Sequence, residues 1–149
     1  MNSYRVIETG VDQAGLSTIA QDDVVSVQTA PGGWGLGRLW EADGVLSAAD
    51  AAVEPRAEGG PPFPTAGGVR FWTITVPPEG DGQPQELHQT PTIDVGLVLS
   101  GEIVLEMEDG SSVELAAGQA FAQQGTLHRW RNPYAVDAVI AVVMMGRDQ

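Results

Sequence analysis

Three observations predict an all-β protein. Glycine (19) and proline (10) supply 29 of 149 residues, punctuation that suits many short strands joined by turns better than helices. In the second half, Ile103, Leu105 and Met107 alternate with Glu102, Glu106 and Glu108, the period of a strand with one wet, acidic face. Helical patterning is scarce: the best candidate, residues 46–54, has Ser47 as a cap and is stopped by Pro55 after about two turns. A chain of 149 residues falls within the size of one domain, so 1–149 is expected to fold as a single unit.

The elements follow in order. Residues 24–27 and 36–40 are candidate strands. Residues 41–68 are rich in Ala, Gly, Pro and acid and carry few large apolar side chains, which predicts a long loop, a lid or a plain insertion. Val69–Val76, built of β-branched and aromatic residues, is the clearest strand of the first half. Thr92–Ser100 leads through Gly101 into a strand over 102–108, and Asp109-Gly110 predicts a two-residue type I′ hairpin turn. Returning strands are expected over 111–115, Ala120–Gln123, 127–131 and 135–145, separated by turns at 116–119, Gly125 and Asn132-Pro133. Short strands at such spacing predict a closed barrel or a sandwich.

Composition removes whole classes of chemistry. The chain has no cysteine, and all seven basic residues are arginine, so lysine Schiff bases, thiol nucleophiles, thiolate metal sites and disulfides are excluded. Twenty acidic residues give a net charge of −13, which repels phosphate backbones and anionic bilayers, so neither nucleic acid nor a membrane is an expected partner. The start MNSYRVIETG lacks a basic segment followed by an apolar run, and no stretch approaches the ~18 apolar residues of a membrane span. A soluble, cytoplasmic protein is expected. Gly32 to Gly37 precede a strand instead of a helix, which argues against a phosphate loop.

Only two histidines exist, so any imidazole site uses His88 and His128. His88-Gln-Thr90-Pro-Thr-Ile-Asp94 is followed by six residues and Gly101; Gly118 leads to Gly125-Thr-Leu-His128 and, three residues on, Asn132. In these segments the chain resembles the cupin superfamily, whose first motif is His-x-His, three or four residues, Glu, six residues, Gly. Its second is a Gly-led strand, then Pro-x-Gly-x-x-His, three residues and Asn. His88, Asp94 and Gly101 match the first motif, and Gly118, Gly125, His128 and Asn132 the second. Thr90 stands in place of the second histidine, Asp94 in place of Glu, and Gln123 in place of Pro. A second register sets Glu86 and His88 at the His-x-His positions. The motif-bearing part is 86–146.

The resemblance implies a jelly-roll β-barrel with a long loop over 41–68, inward-facing site residues, a small-molecule substrate or ligand, and a homodimer. His88, Asp94 and His128 form a two-histidine, one-carboxylate set that suits Fe, Mn, Zn, Ni or Cu. Without a metal, the same residues are an acid/base cluster; with neither role, they are scaffold. Alternation puts Asp94, Gly96 and Val98 on one face, and His128 with Trp130 on one face while Arg129 and Arg131 point away. Thr90, Trp72, Phe121 and Trp130 are the expected pocket walls. The implied function is a small-molecule enzyme, a metal-assisted lyase, isomerase or cyclase; the alternatives are a non-catalytic ligand-binding cupin and a metal-dependent dioxygenase.

Overall fold

A computed structural model describes residues 3–44, 61–80 and 85–148. Eleven strands run in the order β1 (Ser3–Val11), β2 (Ser17–Ser26), β3 (Gln28–Thr29), β4 (Gly35–Ala42), β5 (Val69–Val76), β6 (Thr92–Ser100), β7 (Glu102–Met107), β8 (Ser112–Ala116), β9 (Ala120–Gln123), β10 (His128–Arg131) and β11 (Ala138–Gly146). The one helical element among the described residues is a 3₁₀ turn over Pro31–Gly33. The expected short helix at 46–54 lies outside the described residues, as does the expected loop between 45 and 60.

A six-stranded antiparallel sheet has the order β3-β4-β5-β11-β6-β9, and a three-stranded sheet β10-β7-β8 faces it. The core lies between them: Val76, Val98 and Ile140 of the large sheet meet Ile103 and Leu115 of the small one, with Ala138 fully covered. Residues in register share a face, so the inner side of the large sheet is built in transverse rows. At one end the row is Leu36, Ile74, Ile140 and Val98, entirely apolar. The next is Arg38, Trp72, Val142, Gly96 and Phe121; at the other end stand Glu41, Arg70, Met144, Asp94 and Gln123. A bulge between Arg38 and Trp40 lets β4 keep both Arg38 and Glu41 in these rows.

Two expectations are corrected. The N-terminal strand expected at 24–27 is the end of a longer hairpin, β1 against β2, which the sequence reading missed. Its outward face mixes Arg5, Ile7, Asp22, Ile19 and Val24, so the alternation that marks a half-buried strand is absent. The turn at Asp109-Gly110 is not type I′. Within it Gly110 has positive φ (81°) and Asp109 does not, and the Met107 N–H donates to the Ser111 carbonyl at 2.8 Å, closing a longer loop. Asp109 Oδ1 accepts from the Ser111 N–H at 2.9 Å, a local bond that a type I turn with a glycine bulge accommodates.

Candidate functional site

β10 carries His128 opposite Met107 and Trp130 opposite Leu105, so both rings project between the sheets. His88, on the chain entering β6, bridges to it: each histidine N–H donates to the other's carbonyl, at 2.8 and 2.9 Å. The rings lie 4.6 Å apart at 48°. Nδ1 of His128 is 2.8 Å from the Thr126 carbonyl, and Nδ1 of His88 is 3.2 Å from the Glu86 carbonyl. A carbonyl can only accept, so each Nδ1 carries the proton and each Nε2 keeps its lone pair.

Gln123 organises the turn before His128. Its amide nitrogen donates to the Thr126 carbonyl at 2.7 Å and hydroxyl at 2.9 Å and stands 3.0 Å from His128 Nδ1, while its carbonyl accepts the Gly125 N–H at 3.1 Å. In the sequence Gln123 is visible only as a departure from the motif's proline. The glutamine does by hydrogen bonds what the proline ring would do by restricting φ. Asn132, the last residue of the second motif, is 1% exposed and ties β10 to the end of β5, donating to the carbonyls of Val76 and Val136.

Asp94 faces inward opposite Gln123 and Met144. Its Oδ1 is buried without a hydrogen-bond partner. Burial pushes the Asp94 carboxyl above its ordinary value, opposed by a hydrogen bond from Thr92 and by the charge of His88. Thr90 Oγ1 and Thr92 Oγ1 are 2.7 Å apart and both residues are buried. Either hydroxyl can donate to the other, and the pair stands beside Asp94 on β6. His128 is 3% exposed; burial pulls its pKa below the ordinary imidazole value, the Thr126 carbonyl opposes this, and the charge of His88 adds to it.

The other expected wall residues fall into place behind this group. Gly96 leaves the space that Phe121 fills: a Cβ there would collide with Cζ of the ring, lie 2.6 Å from its Cε1 and lie 2.7 Å from the Ala141 carbonyl. Phe121 meets Trp130 edge-on at 4.8 Å. Trp72 is 5% exposed and held by Glu41, which accepts its indole N–H at 2.8 Å and the Arg38 guanidinium through both oxygens; Arg38 lies over the Trp72 ring at 5.2 Å. Arg129 and Arg131 point outward onto Glu106, and Arg131 also onto Glu79, a part-buried ion network. Glu86 is exposed and meets His88 only through its carbonyl.

The donor set suits a metal in kind, with two Nε2 lone pairs and an unpartnered carboxylate oxygen. It does not meet the requirement of convergence: among the described residues no group of three or more His, Asp or Glu side chains stands where one ion could be held. The structure brings His88 and His128 together and leaves Asp94, with its shorter side chain, apart from a common point. An open apolar depression of about 360 Å³ lies elsewhere, on the outer face of the large sheet between Phe71, Leu97 and Val143. It is separated from the histidines by the sheet itself.

This barrel, with paired imidazoles at one end, defines the class. Residues 72–144 match the Cupin domain family, and this stretch of the chain is a cupin domain. The chain is 38% identical over 73 residues to oryzines biosynthesis cluster protein J of Aspergillus oryzae, covering 49% of this chain and 39% of that protein. It is 41% identical over 66 residues to phomopsin biosynthesis cluster protein C' of Diaporthe leptostromiformis, covering 44% of this chain and 33% of that one. The matched segment thus spans well under half the length of these relatives. Among solved structures, KdgF from Halomonas sp. superposes with a TM-score of 0.53 at 17% identity, over 83% of this chain and 90% of that one, a likeness of fold. Among the described residues no helix is long and apolar enough to cross a membrane.

Proposed function

We propose that the histidine end of the barrel binds a small organic metabolite and moves a proton on it, as a cytoplasmic, homodimeric cupin of lyase, isomerase or cyclase type. The observation that carries this is His128: nearly buried, fixed by the Thr126 carbonyl through Nδ1, and presenting Nε2 beside His88. An imidazole whose pKa is lowered is neutral at pH 7 and serves as a general base. Asp94, whose pKa is raised by burial, would hold or return a proton. Phe121, Trp130 and Trp72 supply the apolar wall, which strengthens electrostatic effects on a bound substrate. The names of the fungal relatives, given for biosynthesis clusters, favour a small metabolite as substrate.

A metal-assisted reading with His88, His128 and Asp94 as ligands would require Asp94 to reach a point shared with the two histidines, which this arrangement does not offer. Elemental analysis of untagged protein separates the cases: about one equivalent of metal, lost in His88→Ala and His128→Ala, would establish the ion. The test of the main reading is a metabolite panel screened by thermal shift, followed by product analysis. Compounds that stabilise the protein should be consumed by wild type and not by His128→Ala. A stabilising compound recovered unchanged from wild type overturns catalysis and favours the second reading, a ligand-binding cupin, for which Thr90 in place of a histidine is the supporting feature.

A further inference from the structure

We infer that Arg147 anchors an anionic group of the ligand, so that the metabolite taken at the histidine end is a small carboxylic acid. This rests on the proton-transfer reading above and names its substrate class. Charge is the starting point. Twenty acidic residues outnumber seven arginines, so carboxylates are in excess and cations are scarce. Five of the six described arginines are taken: Arg5, Arg38, Arg70, Arg129 and Arg131 each have a carboxylate oxygen at 2.5–2.9 Å. Arg147 has no such partner among the described residues, and its guanidinium keeps its fork of N–H donors for a group from solution. Exposure alone does not explain this. Arg5, equally at the surface, holds Asp22 through two bonds at 2.7 and 2.6 Å.

The backbone sets where this cation stands. β11 ends with Gly146 opposite Thr92 of β6, one step beyond the row of Met144, Asp94 and Gln123. There the Gly146 N–H donates to the Gly68 carbonyl at 2.9 Å and the Arg147 N–H to the Pro91 carbonyl at 3.0 Å, so the root of the side chain is fixed. The guanidinium lies along Gly125: a Cβ at that position would be 2.5 Å from Nη2, 2.9 Å from Cζ and 2.9 Å from the Thr92 carbonyl oxygen. Gly125 is therefore required twice, by its φ of 64° and by the room the guanidinium takes. It belongs to the turn in which Gln123 holds Gly125 and Thr126, and in which the Thr126 carbonyl holds His128. Among the described residues, the arginine without a carboxylate is thus packed against the turn that orients the imidazole.

The chemistry of the partner follows. A guanidinium meets a carboxylate with two parallel N–H···O bonds, which fix orientation as well as position. A chain carrying −13 repels an anion over most of its surface, so an anionic ligand is drawn only to a cation that no carboxylate of the chain has neutralised. Arg147 provides that point at the histidine end. Arg70, although in the row of Asp94, does not compete: it is 1% exposed and closed off by Asp43 and by the carbonyls of Ala42 and Val69.

The test uses the full chain and matched probes: succinate and benzoate against their uncharged amides, succinamide and benzamide, titrated by nuclear magnetic resonance. At least one carboxylate should bind wild type about tenfold more tightly than its amide, Arg147→Gln should erase that preference, and Arg147→Lys should keep part of it. The Arg147 Nε–H resonance should shift with the carboxylate and stay in place with the amide. Because Arg147 is exposed, both variants should melt at the wild-type temperature. If neither carboxylate binds at about 10 mM, or if wild type and Arg147→Gln bind it equally, the inference is overturned. Failure of the catalytic reading looks different. Carboxylates that bind through Arg147 while no compound of the metabolite panel is consumed would remove catalysis and keep the anchor. A compound consumed with the same KM by wild type and Arg147→Gln would keep catalysis and remove the anchor.

Discussion

The two ends of the barrel use the same strands to opposite purposes. At the apolar end Ile140, Val98 and Ile103 are 0–2% exposed and belong to one apolar cluster. Four residues away on β6, and likewise on β11, Asp94 and Met144 stand at the histidine end, where a carboxylate oxygen is buried without a partner and two imidazoles face each other. One end is built for stability; the other keeps a buried polar group without a partner, which costs stability. The lesson is that stability and chemistry are divided along the strand axis, with Gly96, Phe121, Trp72 and Trp130 as the partition between them.

The largest break in this comparison is at the apolar end. Ile140→Ala removes a side chain 2% exposed at the centre of the cluster, and unfolding in urea should show a loss of about 3–4 kcal/mol. A loss below 1 kcal/mol would mean that the two sheets close over the gap, contrary to the packing described. Gly96→Ala tests the partition. Its methyl group strikes the Phe121 ring and the Ala141 carbonyl, so a cost of about 1–3 kcal/mol is expected, with the aromatic near-ultraviolet signal altered as Phe121 leaves Trp130. Unchanged aromatic spectra would remove the role assigned to Gly96.

Most of this architecture is legible in the sequence. From β4 onward every expected strand is present, because apolar alternation and Gly or Pro at the turns act locally; β7, with Ile103, Leu105 and Met107 inside, is the plainest case. The β1–β2 hairpin was not legible, since it is exposed on one side and its apolar residues are interleaved with Arg5 and Asp22, an ion pair at 2.6 Å. At the candidate site, spacing singles out His88, Asp94 and His128 as candidates, and the inward direction of Trp130 was legible from alternation. Convergence was not: whether three donors meet depends on Ångström-scale reach across β6 and β10, which no spacing rule carries. The function of Gln123 was hidden for a similar reason, as its bonds to Thr126 and Gly125 exist only once the turn has closed.

A smaller effect is expected from Gln123→Ala. It releases the Thr126 carbonyl and hydroxyl and the Gly125 N–H together, but this turn reaches water on one side, so the cost should be about 1–2 kcal/mol. The sharper readout is the titration of His128 by nuclear magnetic resonance. Its depressed pKa should move toward the ordinary 6.5 as water enters; a titration curve identical to wild type would show that Gln123 does not guard the ring.

The smallest effect has the opposite sign. Asp94 is half-buried with an unpartnered oxygen, so Asp94→Asn should stabilise the fold at pH 7, by about 1 kcal/mol given partial exposure to solvent. The sign in pH follows from linkage. Because burial raises the folded pKa above 3.8, the wild-type carboxyl is most favourable to folding below 3.8, where it is protonated in both states. As pH rises, the unfolded chain ionises first, and wild type loses stability until the folded pKa is passed. Asparagine does not titrate, so the advantage of Asp94→Asn should grow with pH across that window and then hold constant. His128 contributes the reverse slope, with stability lost as pH falls below 6.5, and it is present in both proteins, so it cancels in the difference. A difference that shrinks with rising pH would mean that Asp94 is paired with a cation in solution, the outcome that would return the carboxylate to a charged role beside His88.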